Sequence, residues 1–169
     1  MKNATLSRLG FTLVELLVVV LIIGILAAVA LPQYNKAVYR SKYVSLYHLI
    51  DALAKAEEAY YLENGTYTSQ FDSLVLEMNG GKKDSAYPAG NVWRWDWGTC
   101  FLQGGNHAIH CTNEKINMGI SFELPNEKHC RVLGTTDKTE WRNSICKAET
   151  GATSGIISQG TNEVYWIYQ

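Results

Sequence analysis

The chain has 169 residues, with 15 Lys+Arg against 16 Asp+Glu and a net charge of −1 when the histidines are neutral. This length carries one modest core rather than two. The near-balanced charge, with no long run of one sign, argues for neither a nucleic-acid binder nor a polybasic membrane binder.

Taken in chain order, residues 1–10 form a short basic leader with Lys2 and Arg8 and no acid, a charge pattern that stays on the cytoplasmic side of a membrane. The stretch from Phe11 to Leu31 is too long for the apolar part of a cleaved secretory signal. At 1.5 Å per residue it makes about 31 Å of helix, the thickness of a bilayer core. Between Leu16 and Leu31 only Gly24 interrupts the hydrophobic side chains. Glu15 stands out, because burying a carboxylate in lipid costs a few kcal/mol unless it stays at headgroup level or finds a partner.

Pro32 removes one N–H from a helical ladder and crowds the carbonyl four residues earlier, so a kink or local melting is expected there. Beyond it Leu46, Leu49, Leu53, Ala56 and Tyr60 recur at spacings of three or four and define one face, with Lys42, Lys55, Glu57, Glu58 and Glu63 elsewhere. Asn64-Gly65 supplies the stop, so a single helix is predicted from about Phe11 to about Glu63. Asn64-Gly65-Thr66 also fits a glycosylation acceptor, but turn chemistry after a helix explains it better.

In the remainder the period changes to two. Ile116, Met118, Ile120, Phe122 and Leu124 alternate with polar or small residues, predicting a strand with one buried and one wet face. Trp93, Trp95 and Trp97 alternate with Arg94 and Asp96 in the same way, and Tyr165 and Ile167 suggest a last strand. All four cysteines lie in this half, and an even number in an exported domain predicts two disulfides. A hairpin turn at Gly105-Asn106 pairs Leu102 with Ile109 and Cys100 with Cys111, close enough to bridge. That leaves Cys130 with Cys146.

Cys100, His107, His110 and Cys111 include both soft ligand types for zinc, but their spacing fits no finger and adjacent strand residues point to opposite faces. No metal is therefore assigned. The three tryptophans offer a stacking platform for sugars or single-stranded nucleic acid, yet only Arg94 is interleaved with them, so packing is the simpler role and nucleic acid is not an expected partner. Lone His48 and His129 read as surface or packing residues. No nucleophile-base pair, phosphate loop or paired carboxylates stand out, and the chain is read as a non-enzyme without cofactor.

Gly10-Phe11-Thr12-Leu13-Val14-Glu15-Leu16, behind a basic leader and ahead of an apolar run, resembles the N-terminal motif of type IV pilins and pseudopilins. Pro32 and Asn64-Gly65-Thr66-Tyr67 extend the resemblance. It implies an α+β pilin fold: one long N-terminal helix, hydrophobic in its first half and amphipathic in its second, packed on a small antiparallel sheet. The chain then divides into a leader (1–10), a transmembrane and fibre-core half-helix (11–31), an amphipathic half-helix (32–63) and a β-rich head (64–169).

The resemblance further implies cleavage between Gly10 and Phe11 by a prepilin peptidase, N-methylation of Phe11, and pairing of Glu15 with the α-amine of a neighbour's Phe11 during assembly. Loss of Lys2 and Arg8 leaves 13 basic against 16 acidic side chains. The implied partners are other pilin subunits, the peptidase and methyltransferase, and the assembly machinery. The implied locations are the inner membrane, single-pass with a periplasmic head, and then an extracellular pilus, whether for motility, adhesion or uptake. The runner-up is a pseudopilin of a type II secretion system. For that reading an acidic, calcium-binding loop is expected near the C-terminus, where Ala148 to Gln169 holds only Glu149 and Glu163. A minor ligand- or DNA-binding subunit and a plain single-span protein with an unrelated ectodomain complete the alternatives.

Overall fold

The computed structural model describes residues 11–87, 90–158 and 160–169. The expected leader, Gly10 included, lies outside the described residues. The fold is α+β. A long helix α1 (Leu13–Asn64) leads into strands β1 (Lys82–Lys83), β2 (Val92–Arg94), β3 (Gly98–Gln103), β4 (Ala108–Asn113), β5 (Met118–Glu123) and β6 (Glu127–Leu133). A short helix α2 (Trp141–Thr150) follows, and β7 (Ile156–Ser158) and β8 (Glu163–Ile167) end the chain. Two compact units are present, Met1–Val38 and Tyr39–Gln169, with α1 running through both.

In the first unit α1 stays helical through Pro32 rather than melting there. The ring costs the helix one donor, which leaves the Ala28 carbonyl without its ladder partner. At the far end of α1, Gly65 adopts φ 75°, and its N–H donates to the Tyr61 carbonyl at 2.8 Å. A glycine takes this left-handed cap conformation without steric cost.

The second unit is an eight-stranded sheet in the order β1-β2-β3-β4-β5-β6-β8-β7, with every pairing antiparallel. The α1 residues Tyr43, Leu46, Ile50, Leu53, Ala54 and Glu57 are buried. The stripe is thus rotated from the expected one: Leu49, Ala56 and Tyr60 are only half-buried, and Glu57, expected among the wet residues, is inside. One face of the sheet supplies the matching layer. Cys100, Cys111, Ile120, Cys130 and Trp166 form one cross-strand row and Asn113, Met118, Val132 and Val164 another, and every residue in both rows is buried.

The Gly105-Asn106 region turns the chain as a short 3-10 segment (Gly104–Asn106) with His107 left-handed at φ 53°, a wider loop than the expected two-residue turn. Because the loop is symmetric, the ladder still pairs Leu102 with Ile109 and Cys100 with Cys111. The tryptophan triad departs from the expected strand. β2 ends at Arg94, the Trp95 N–H donates to the Gly98 carbonyl at 2.8 Å, and the hairpin reverses within Trp95-Asp96-Trp97. Gly98 permits this close return, since a Cβ there would lie 2.0 Å from the Thr112 carbonyl oxygen.

The second face of the sheet is not simply wet, as alternation predicted for β5, for Ser121 is buried. Arg131 Nη2 contacts Glu163 Oε2 at 2.6 Å and Arg131 Nη1 donates to Ser121 Oγ at 3.1 Å. His110 Nδ1 meets the same hydroxyl at 2.8 Å. Burial, reinforced by the Arg131 charge, pushes the His110 imidazole down to about 4. On β8 the core residues are Val164 and Trp166, while Tyr165 and Ile167, the pair that suggested the strand, face the other way.

Glu57 ties α1 to the segment after it: Thr68 N–H donates to its Oε2 at 3.0 Å. Desolvation, opposed by that hydrogen bond and aided by the neighbouring Glu58 charge, pushes its carboxyl up to about 7. Since the folded value exceeds the unfolded one, folding takes up a proton between about pH 4.5 and 7, and stability falls as pH rises through that window. Glu57→Gln keeps an acceptor for Thr68 without the charge. It is expected to stabilise the chain by about 1–2 kcal/mol at pH 8 and to change little at pH 4, measured by thermal unfolding in a nonionic detergent. An equal effect at both pH values contradicts the assignment.

Candidate assembly segment

The first unit contains the chemistry that the sequence singles out. Thr12 precedes the first helical residue, and its Oγ1 accepts the Glu15 N–H at 3.2 Å while its own N–H and Oγ1–H both donate to Glu15 Oε2 at 2.8 Å. This is a capping box, in which a Thr at the N-cap and a Glu three residues on satisfy each other's free groups. The Thr-x-x-Glu spacing is the signature of this contact in the sequence. The helix dipole also favours a carboxylate in this first turn. Oε2 carries both bonds, and Oε1 has no partner among the described residues.

From Leu13 to Leu31 every large apolar side chain is exposed, with Leu13 at 81% and Ile23 at 59%. Glu15 is the only charged residue in the stretch. By length and composition this helix is able to cross a membrane. A contiguous apolar surface of this extent does not persist in water and marks a membrane or protein contact. Phe11, just ahead of the cap, is 77% exposed.

The other singled-out residues lie in the second unit. Cys100 and Cys111 face each other on β3 and β4 and are joined, with Cα atoms 4.1 Å apart. Cys130 on β6 is joined to Cys146 on α2, with Cα atoms 5.4 Å apart. The Cys-His set weighed for zinc is dispersed: its sulfurs are bonded to each other, His107 lies 5.0 Å from the Tyr67 ring, and His110 faces Ser121. Trp95 and Trp97 stack on each other at 4.9 Å and 18°, so the three indoles are not an open comb for successive bases. His48 is exposed, and His129 is buried against Glu127 and Tyr165.

Residues 6–31 match the prokaryotic N-terminal methylation motif. The chain is also 45% identical over 58 residues to the fimbrial protein EcpC of Eikenella corrodens, covering 34% of this chain and 38% of that protein. At its N-terminus the chain is similar to type IV pilins. It is 44% identical over 74 residues to the type IV major pilin protein PilA of Myxococcus xanthus, with 44% and 34% of the two chains covered. It is 42% identical over 74 residues to the type IV major fimbrial protein FimA of Dichelobacter nodosus, covering 44% and 46%. The chain thus spans between a third and a half of these relatives' lengths. No solved structure matches it.

The capping box makes a local prediction. Thr12→Ala removes the hydroxyl that holds Glu15 and should cost the first turn about 1 kcal/mol, several-fold in local opening. Amide exchange at Leu16 and Leu17 in detergent is expected to accelerate by that factor, leaving the amides of the second unit unchanged. Unchanged exchange at both positions rules the cap out as a stabilising contact.

Proposed function

We propose that the chain is a structural subunit of a type IV pilus, made as a single-span inner-membrane precursor with a periplasmic head, cut between Gly10 and Phe11, N-methylated on Phe11 and polymerised through α1. The observation that carries this reading is the exposed apolar helix Leu13–Leu31 with Glu15 as its one charge, set directly behind Phe11 within the matched motif.

The physical logic follows from what each covering provides. A bilayer and a bundle of like helices cover apolar side chains about equally well, so burial alone does not draw the helix out of the membrane. Two charge changes at the N-terminus tilt the balance. Hydrolysis of the Gly10–Phe11 peptide bond removes Lys2 and Arg8, whose charges hold the helix end on the cytoplasmic side, and it creates a cationic α-amine on Phe11. In a fibre core that excludes water, an unpaired Glu15 carboxylate is costly, while one facing an ammonium is compensated. Glu15 Oε1, free of the capping box, is available to a neighbour's amine. Methylation leaves that amine cationic. Subunits entering with Glu15 opposite a neighbour's Phe11 are favoured over slipped ones, which sets the axial register.

The head supports the same reading. Two disulfides suit an oxidising compartment and an exposed surface. Mass spectrometry of the native N-terminus is expected to find a monomethylated Phe11; a chain starting at Met1, or beyond Leu31, overturns the proposal. In cells, Glu15→Ala should leave the subunit in the membrane and out of fibres. Fibres at wild-type abundance would remove the role given to Glu15.

A further inference from the structure

The second unit contains a cleft of about 620 Å³ that the assembly reading does not use. Its volume falls in the range of small-molecule sites. Its walls are largely apolar: Leu49 from α1, Leu76 and Met78 from the segment before β1, and the stacked pair Trp95 and Trp97 at the hairpin tip. Hydrogen bonds to the segment before β1 hold the tryptophans. Trp95 Nε1–H donates to the Asn79 carbonyl and Trp93 Nε1–H to the Gly80 carbonyl, each at 3.1 Å.

Several polar groups around the cleft are donors without an acceptor among the described residues, while the Ser45 hydroxyl donates to the Ser41 carbonyl. Lys42 and Lys115 line it, and neither forms an ion pair among the described residues. The Trp97 indole N–H has no described acceptor either. Asn113 is 95% buried, and its Oδ1 accepts the Lys115 N–H at 3.1 Å while its Nδ2 has no described partner. Against these stands one carboxylate, that of Glu77, on the exposed segment before β1. These solvent-accessible donors beside an apolar cavity match a ligand that brings acceptors and negative charge. Two ammonium groups against one carboxylate give the matching field. Trp95 and Trp97 cover one face of each other, and an outer indole face of the stacked pair suits a planar ring system by offset stacking.

We propose that this cleft is a binding site for a small aromatic anion, its ring system against Trp95 and Trp97 and its carboxylate, sulfonate or phosphate group toward Lys42, Lys115 and the Asn113 amide. The site lies wholly within the second unit.

The test uses the full chain in nonionic detergent micelles, titrated calorimetrically with naphthalene-2-sulfonate after subtraction of empty micelles. Saturable one-to-one binding is expected, with naphthalene-2-sulfonamide, the uncharged analogue, at least tenfold weaker. The exposed double variant Lys42→Glu, Lys115→Glu should weaken sulfonate binding at least tenfold, and Lys147→Glu on α2 should leave it unchanged. The proposal is overturned by heat no greater than that of empty micelles, by equal affinity for the uncharged analogue, or by full affinity in the double variant.

Discussion

An uncovered apolar helix is the constraint on which the rest of the molecule depends. From Leu13 to Leu31 the side chains are hydrophobic and exposed, and at roughly 1.5–3 kcal/mol for each large residue taken out of water, no ordinary soluble state tolerates them. Whatever surrounds this segment must be lipid or other protein. The single carboxylate in the stretch then becomes the feature that distinguishes one apolar surrounding from another, because hydrocarbon is indifferent to register and a charge is not. Within one chain Glu15 is already tied to Thr12, so its position and its rotamer are set before any partner arrives.

The head answers a different need of the same helix. The residues after Tyr39 bury one stripe against a sheet whose inner rows are continuous across five strands. Covalent links lie in that inner layer: one disulfide ties two adjacent strands and the other ties α2 to β6. Polar contacts reinforce the junction of helix and sheet. Lys128 on β6 donates to Asp51 on α1 at 2.7 Å, and Tyr43 and Tyr168 share a hydrogen bond at 2.7 Å. Burial and Tyr168 push the Tyr43 phenol strongly upward, so it stays neutral at any ordinary pH.

Much of this was legible in the sequence, and what was not has identifiable physical reasons. The extent of α1 followed from its apolar periods and the Asn64-Gly65 stop, and the register of β3 on β4 followed from counting outward from Gly105-Asn106, because symmetric loops of different size preserve the pairing. The tryptophan triad departs from its expected strand because alternation looks the same in one strand and in a hairpin that turns between the aromatics. The helix α2 left no periodic signal: two of its four buried residues, Asn143 and Thr150, are polar. The Asn143 amide oxygen accepts the indole N–H of buried Trp166 at 2.8 Å, a role no local pattern reveals. Glu57 was assigned to the wet face by its charge, and only the return of the chain at Thr68 shows how its burial is compensated. His110, Ser121, Arg131 and Glu163 are far apart in sequence and meet only through the strand order.

A side-chain-resolution electron cryomicroscopy map of the native fibre would show directly what Glu15 faces. Each Glu15 carboxylate is expected within about 4 Å of the α-amine of a neighbouring subunit's Phe11, with Leu13–Leu31 packed on other subunits. A fibre in which Glu15 faces solvent, or in which residues 1–10 remain attached, contradicts that pairing.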